Sequence, residues 1–286
     1  MSVTARLLLF TRDRAKDIWS IPSLNIPVRQ KFSLLKAYLH ILVMQYVVSK
    51  FMPVKKISFL RYQVETPDWY SFFYIFREIF LHGIYAIPKG EQPPRRIVDC
   101  GANIGMAVLF YKWLWPNVTI EAYEPDPSTF EVLKRNIERN KLDSVTLHNK
   151  AVSSSEGSIR LYSNPTQEGS GKNTTVKERV SDDYVPYDVP CVDISTALEG
   201  DTVDILKMDI EGAEYDVLSR IVEKKKLGVI KHYIVEYHHN ITDSKHTLSD
   251  FLKLLDSDHR VYRIHSEDSL VIDGKNFYQD IMIHAY

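Results

Sequence analysis

The chain has 286 residues, 44% hydrophobic and 26% charged, with a formal net charge of −1, a profile that fits a soluble globular protein large enough to bury a full core. The near-neutral total hides a division, because eleven Lys and Arg face only two Asp and Glu through Arg61, giving +9 there and −10 in the remainder. The acidic body argues against a large nucleic-acid footprint, while the basic end suits an anionic surface such as a lipid leaflet.

From Lys31 to Met52 the chain reads KFSLLKAYLHILVMQYVVSKFM, a helix interrupted by Lys36, His40 and Gln45. It looks too short and too polar to span a bilayer, which needs about 20 mainly apolar residues. Packing as a cap on the main core or a subunit contact is the simpler reading, and an amphipathic helix resting on a membrane is the alternative. Pro67-Asp68 then starts a second helix, with Phe72, Phe73, Phe76, Ile79 and Phe80 at helical spacing and Gly83 at its end. Tyr85 is within reach of a later pocket on this reading. A linker with Pro93 and Pro94 leads onward. The expected domains are a basic helical extension over residues 1–66 and a main domain over 67–286.

Ile97-Val98-Asp99-Cys100-Gly101-Ala102-Asn103-Ile104-Gly105 is a strand, a tight turn and the start of a helix that Pro116 stops. Glycines at 101 and 105 allow a sharp turn and close approach, and Asn103 tolerates a left-handed backbone. A dinucleotide fingerprint requires G-x-G-x-x-G, and here its middle glycine is Asn103. The strand-end Asp99 suits a cationic ligand instead, which points to S-adenosylmethionine, with its ammonium and sulfonium. The strand Val118 to Tyr123 ends in Glu124-Pro125-Asp126-Pro127. Glu124 stands where a carboxylate accepts both ribose hydroxyls, and Asp126 is placed to cap the next helix.

A third strand over Val145 to Val152 and a hairpin-like excursion through Gly157 precede a polar stretch between Ser163 and Asp188, read as a loop over the site. Its Gly169-Ser170-Gly171-Lys172-Asn173 fails the phosphate-loop pattern. Strand four, Val203 to Met208, brings Lys207, Asp209, Glu211 and Glu214 to the sheet's carboxyl end. Strand five, Val229 to Tyr237, brings Glu236, His238, His239 and Asn240. Ligands of open α/β sheets bind at that end. A helix over Leu248 to Leu255 and two closing strands follow. Cys100 and Cys191 form no disulfide framework, and no signal-peptide pattern stands at the N-terminus, so a reducing, cytoplasmic location is expected, membrane-associated if the basic end binds lipid.

The segments VDCGANIG, EPDP, NKAVSSSEG, LKMDIEGAEYDVL and IVEYHHN, in this order and spacing, resemble the FkbM-type S-adenosylmethionine-dependent methyltransferases over residues 70 to 284. The resemblance implies an α/β, class I methyltransferase (Rossmann-like) fold, with a seven-stranded, mostly parallel sheet whose last strand is antiparallel. It also implies methyl transfer to hydroxyls of sugars, glycans or polyketide-type natural products. The cofactor-binding candidates are then Asp99, Gly101, Asn103, Gly105, Glu124, Asp126 and Ala151.

Methyl transfer to an alcohol demands alignment of the acceptor oxygen and removal of its proton. Asp209, Glu211, His238 and Lys207 are the catalytic candidates, with the base on either His238 or Asp209. Crowded carboxylates need a counter-charge, which Lys207 can supply. Alternatively, a divalent cation such as Mg on Asp209, Glu211, Glu236 and His238 would serve. Acids at 211 and 214 also suit a helix N-terminus for purely structural reasons. Two competing functions share the fold: an NAD-dependent sugar oxidoreductase or epimerase, which should show G-x-G-x-x-G and Tyr-x-x-x-Lys, and a nucleoside-binding adaptor without catalysis. Neither the acceptor nor the oligomeric state is written in the sequence.

Overall fold

The computed structural model describes residues 3–163, 184–239, 246–256, 258, 261–266, 271–273 and 276–286. The loop expected over the site, its glycine-rich segment and Asn240 fall mostly or wholly outside these residues. Two compact units are present, Met1–Glu91 and Gln92–Tyr286. The division lies beyond the 66/67 boundary expected from the sequence, and the reason is aromatic packing. Phe59 sits against Phe72, Phe76 and Phe80 at ring distances of 5.8, 5.2 and 5.4 Å, which ties the aromatic helix to the N-terminal unit.

The N-terminal unit comprises α1 (Val3–Ser23), α2 (Val28–Tyr46), the hairpin β1 (Lys56–Phe59) and β2 (Tyr62–Glu65), and α3 (Trp69–Phe76). Asp68 caps α3 by accepting from the amides of Tyr70 and Ser71, and a π-helical turn, Arg77–His82, continues it. At the centre lies Asp17, fully buried. Its carboxylate accepts from the Tyr38 hydroxyl, from Arg77 at 2.8–3.0 Å and from His82 at 3.0 Å. With the 3₁₀ turn after it, α2 runs 23 residues to Lys50 and is long and apolar enough to cross a membrane by length and composition, so the expectation that it is too short does not hold. Leu34, Ala37, Tyr38 and Ile41 on one face are buried within the unit.

The second unit contains β3 (Arg96–Cys100), α4 (Met106–Leu114), β4 (Thr119–Tyr123), α5 (Pro127–Arg139), β5 (Val145–His148), β6 (Ala151–Ser153), β7 (Gly157–Ser163) and β8 (Val185–Asp193). These are followed by α6 (Ile194–Ala197), β9 (Val203–Met208), α7 (Glu214–Glu223), β10 (Ile230–His239), α8 (Leu248–Asp256), β11 (Tyr262–Ser266), β12 (Val271–Asp273) and β13 (Asn276–Ala285). The main sheet runs β5-β4-β3-β9-β10-β13-β11, with β12 beside β13. Its first five strands are parallel, and β13 is antiparallel to both neighbours. This is the expected seven-stranded class I arrangement. Every residue of β9 is buried, as a central parallel strand covered on both faces requires.

The chain leaves β3 toward β4 and β5, then returns to β9 on the other side of β3. That reversal makes the crevice where open α/β sheets bind ligands. The third strand is shorter than expected: pairing with β4 ends at His148, and β6 joins a separate three-stranded sheet, β6-β8-β7. In that small sheet Leu161, Val189 and Cys191 share a core with Ala151.

Candidate active site

At the switch point β3 bends into α4. Gly101 has φ +87, and a Cβ there would stand 1.9 Å from the carbonyl oxygen of Asp209. Close approach is therefore what demands glycine, as expected, but the atom that approaches is the neighbouring strand's backbone. Gly105, at φ +95, admits Leu133 of α5, whose methyl would lie 2.8 Å from a Cβ, so it serves helix packing. Asn103 takes φ +49, and its side-chain oxygen accepts from the Ile104 amide at 2.6 Å. Its own amide donates to Glu124 at 2.9 Å.

Glu124 leaves the end of β4 nearly buried and accepts from the amides of Asn103 and Asp126. Burial pushes its carboxyl up to about 8, although those two amides favour the charged form. A buried strand-end carboxylate beside a tight turn fits the paired hydroxyls of a ribose. Asp126 is fully employed elsewhere. It caps α5 through the Thr129 amide at 2.7 Å and accepts from Tyr187 of β8 at 2.5 Å, so it fastens the small sheet to the main one.

An open cleft lies along this edge, the concave form that small-molecule sites take. Gly101, Asn103, Glu124 and Ala151 line it, together with Asp209 and Glu211. The sequence reading missed Tyr123 and the apolar wall of Val152, Ile159 and Leu161. The Tyr123 ring stacks on His148 at 4.4 Å. Alternation of Ile159 and Leu161 along β7 was the available signal, since residues two apart share a strand face.

Asp99, Gly105, Asp126, Lys207, Glu236 and His238 are not among the residues lining the cleft. Asp99 is fully buried, and its β9 partner in the register is Lys207, whose ammonium lies 3.3 Å from its carboxylate. That ammonium also donates to the Gly101 carbonyl at 2.6 Å and stands 3.5 Å from Asp209. Burial alone would lower Lys207, but Asp99 and Asp209 outweigh it and raise it above the usual lysine range. Asp99 and Lys207 thus brace the turn through their ion pair.

Beyond β9, Asp209, Ile210, Glu211 and Gly212 form a turn in which Glu211 adopts φ +57. Glu214, the first residue of α7 and deeply buried, folds back into this turn. It accepts from the amides of Ile210 at 3.3 Å and Gly212 at 3.0 Å, and pairs with His238 Nδ1 at 2.8 Å. The other imidazole nitrogen lies 3.5 Å from Glu211 and 4.0 Å from Asp209. Burial opposes charge on His238, but Glu214 and Glu211 together hold it well above the ordinary imidazole range. Its side chain is 2% exposed, against 25% for Asp209 and Glu211.

For a cation, among the described residues, those whose ligand atoms lie within 4.8 Å of one another are Asp209, Glu211 and His238. Glu236 lies outside that set, and burial and Asp209 push its carboxyl well above the usual range. Lys207 and an imidazolium at His238 already supply positive charge beside these carboxylates, which leaves the set poorly suited to a second cation.

Comparison with known proteins gives the family. Residues 99–264 match the model of the Methyltransferase FkbM domain. Methyltransferase 1 of Beauveria bassiana is 30% identical over 203 residues, covering 64% of this chain and 79% of its own. The 31-O-demethyl-FK506 methyltransferase FkbM of Streptomyces tacrolimicus is 40% identical over 70 residues, covering 24% and 27%. A crystal structure of an FkbM methyltransferase from Methylobacillus flagellatus aligns with TM-score 0.45 and 17% identity over 77% of this chain and 56% of that one. The domain match spans the Gly101–Gly105 turn, the strand-end glutamate and the acid-rich turn together, and with it an oxidoreductase reading gives way: the chain belongs to the FkbM family of S-adenosylmethionine-dependent methyltransferases.

Proposed function

We propose that the enzyme methylates a hydroxyl oxygen of a sugar, glycan or related natural product, with Asp209 as the base that receives the hydroxyl proton. The observation that carries this reading is the position of the Asp209 carboxylate. It lines the cleft beside the donor turn and is partly open to solvent, with the cations of Lys207 and His238 behind it. The methyl donor is held by Glu124 at its sugar, by the Gly101–Asn103 turn, and by Tyr123, Val152, Ile159 and Leu161 along its apolar base. When bound, S-adenosylmethionine supplies a methyl group already activated by the sulfonium charge. What falls to the chain is alignment of the acceptor and removal of its proton.

Of the two bases left open by the sequence, Asp209 is favoured. His238 lies deeper and is held protonated by its neighbours, so its role is to keep Glu211 and Asp209 in place. A relative named for 31-O-demethyl-FK506 supports an oxygen acceptor in a natural product. The carboxylates carry their own counter-charges, so turnover undiminished by EDTA is expected.

The test is Asp209→Asn assayed against a panel of hydroxyl, carboxylate and amine acceptors. Turnover on hydroxyls should fall by about 10²–10⁴-fold, with S-adenosylmethionine affinity preserved in calorimetry. Full activity in the variant removes Asp209 as base. Tight donor binding by the native protein without turnover on any acceptor supports the adaptor reading instead.

A further inference from the structure

We infer that the outer face of α2 and the segment following it form a docking surface for an anionic lipid leaflet. The inner face of the helix is accounted for, since Leu34, Ala37, Tyr38 and Ile41 are buried. The outer face is not. Val28, Phe32, Leu39, Val43 and Val47 recur at intervals of four and seven, and all are exposed, Phe32 by 63% and Val43 by 53%. Just beyond the helix Phe51 is 84% exposed, with Met52 beside it. Single exposed apolar residues are ordinary, but a continuous stripe along one helix marks an interaction surface.

Charge identifies the occupant. Between Val28 and Val64 there are seven Lys and Arg and no Asp or Glu. Arg29 and Lys36 are exposed on the same side of α2 as the stripe, and Lys50, Lys55 and Lys56 are exposed after it. An apolar stripe bordered by long basic side chains is the arrangement of a helix lying in a membrane interface, its stems along the apolar zone and its heads at the phosphates. A second copy of the chain would bring two like-charged surfaces together, which is unfavourable.

The helix lies on the leaflet and does not cross it. Its buried face carries Tyr38, whose hydroxyl donates to Asp17 in the cluster with Arg77 and His82. Crossing would draw that residue away from its charged partner, into a medium where such groups are costly. The surface is therefore one-sided, with the folded unit on one face and lipid on the other.

The test is flotation of the full chain with phosphatidylcholine vesicles prepared with and without phosphatidylserine. Flotation is expected only with phosphatidylserine and should be released by high salt. Phe32→Ser with Val43→Ser, both at exposed positions, should keep the protein in the aqueous fraction. Lys50→Gln, Lys55→Gln and Lys56→Gln should each lower partition about fivefold, and they keep the test valid should the apolar pair disturb folding. The inference is overturned if the native chain stays aqueous with both vesicle types or floats equally with both. It is equally overturned if the apolar substitutions turn a dimer into a monomer in light scattering while leaving vesicle partition unchanged.

Discussion

Two glutamates do different work within one site. Glu124 is buried with its carboxyl raised to about 8, yet ribose hydroxyls need the charged form to donate to. Donor affinity should therefore rise as pH climbs through about 8, and binding should release a proton, read by calorimetry in buffers of different ionisation enthalpy. The same shift works against the free protein. Its contribution to stability is complete below the unfolded value of 4.5 and is lost as pH rises through about 8. Glu124→Gln should weaken donor binding roughly 10–100-fold, the worth of about 1.5–3 kcal/mol for a hydrogen bond to a charged group. Glu214 instead braces the acid turn and His238. Glu214→Gln removes a negative charge that raises His238, so the imidazolium is lost at lower pH and the alkaline limb of the rate profile should move toward acid. A glutamate that only favoured a helix terminus would leave that limb in place. The sequence put Glu124 at a ribose and Asp126 at a cap from their place after a strand and before a proline. It could not pair Asp99 with Lys207 or bring Glu214 to His238, because both facts depend on which strands become neighbours.

Between elements, the contact of β3 with the end of β9 sets the geometry of the site. The Asp209 amide donates to the Cys100 carbonyl at 3.1 Å, and the Asp209 carbonyl fills the space where residue 101 would carry a side chain. Gly101→Ala should cost at least about 1–2 kcal/mol for the left-handed backbone alone, plus whatever the clash adds. A lowered Tm together with lost donor binding would report it, whereas a variant with native Tm would mean the two strands are not so tightly joined. Strand identities were largely legible from runs of Val, Ile and Leu. The short strands β1, β2 and β12 were not read, nor was β8, which carries Pro186 and Pro190 and sits between β6 and β7. Proline lacks an amide for the ladder and is ordinarily kept from central strands, so alternation of Val189 with Cys191 was masked. The strands β6 and β7, which carry the cleft's apolar wall, both pair with β8, so with β8 unread their packing into one sheet went unread too.

At the scale of the molecule, the two units separate by charge and by what holds them. The catalytic unit depends on a buried parallel sheet, the N-terminal unit on rings around Phe59 and on the polar cluster at Asp17. Hydrogen bonds to Asp17 and Glu78 raise His82 to about 9. The stability this adds is complete below the unfolded value of 6.5 and is lost as pH rises through about 9. Protection factors across Met1–Glu91, which remove the base-catalysed rise in intrinsic exchange, should fall in that alkaline window while those of β3 and β9 hold; an equal fall in both units would contradict the assignment. The +9 to −10 division was plain in the composition, but not the placement of its cations along an exposed apolar helix, since that needs to be known which face of α2 the Asp17 cluster occupies.

The vacant Cβ position at Gly101 also constrains how this enzyme can be altered. Gly90 has a similarly positive φ, +95, yet no atom lies within 4 Å of the corresponding point. Both backbones strain an L side chain, but only residue 101 also meets an atom, so in a saturation library sorted for folded protein position 90 should return asparagine beside glycine while position 101 returns glycine alone. Redesign of the donor or acceptor preference therefore has to proceed by changing the cleft wall at Ile159 and Leu161, with the parallel pairing of β3 and β9 left as a fixed frame.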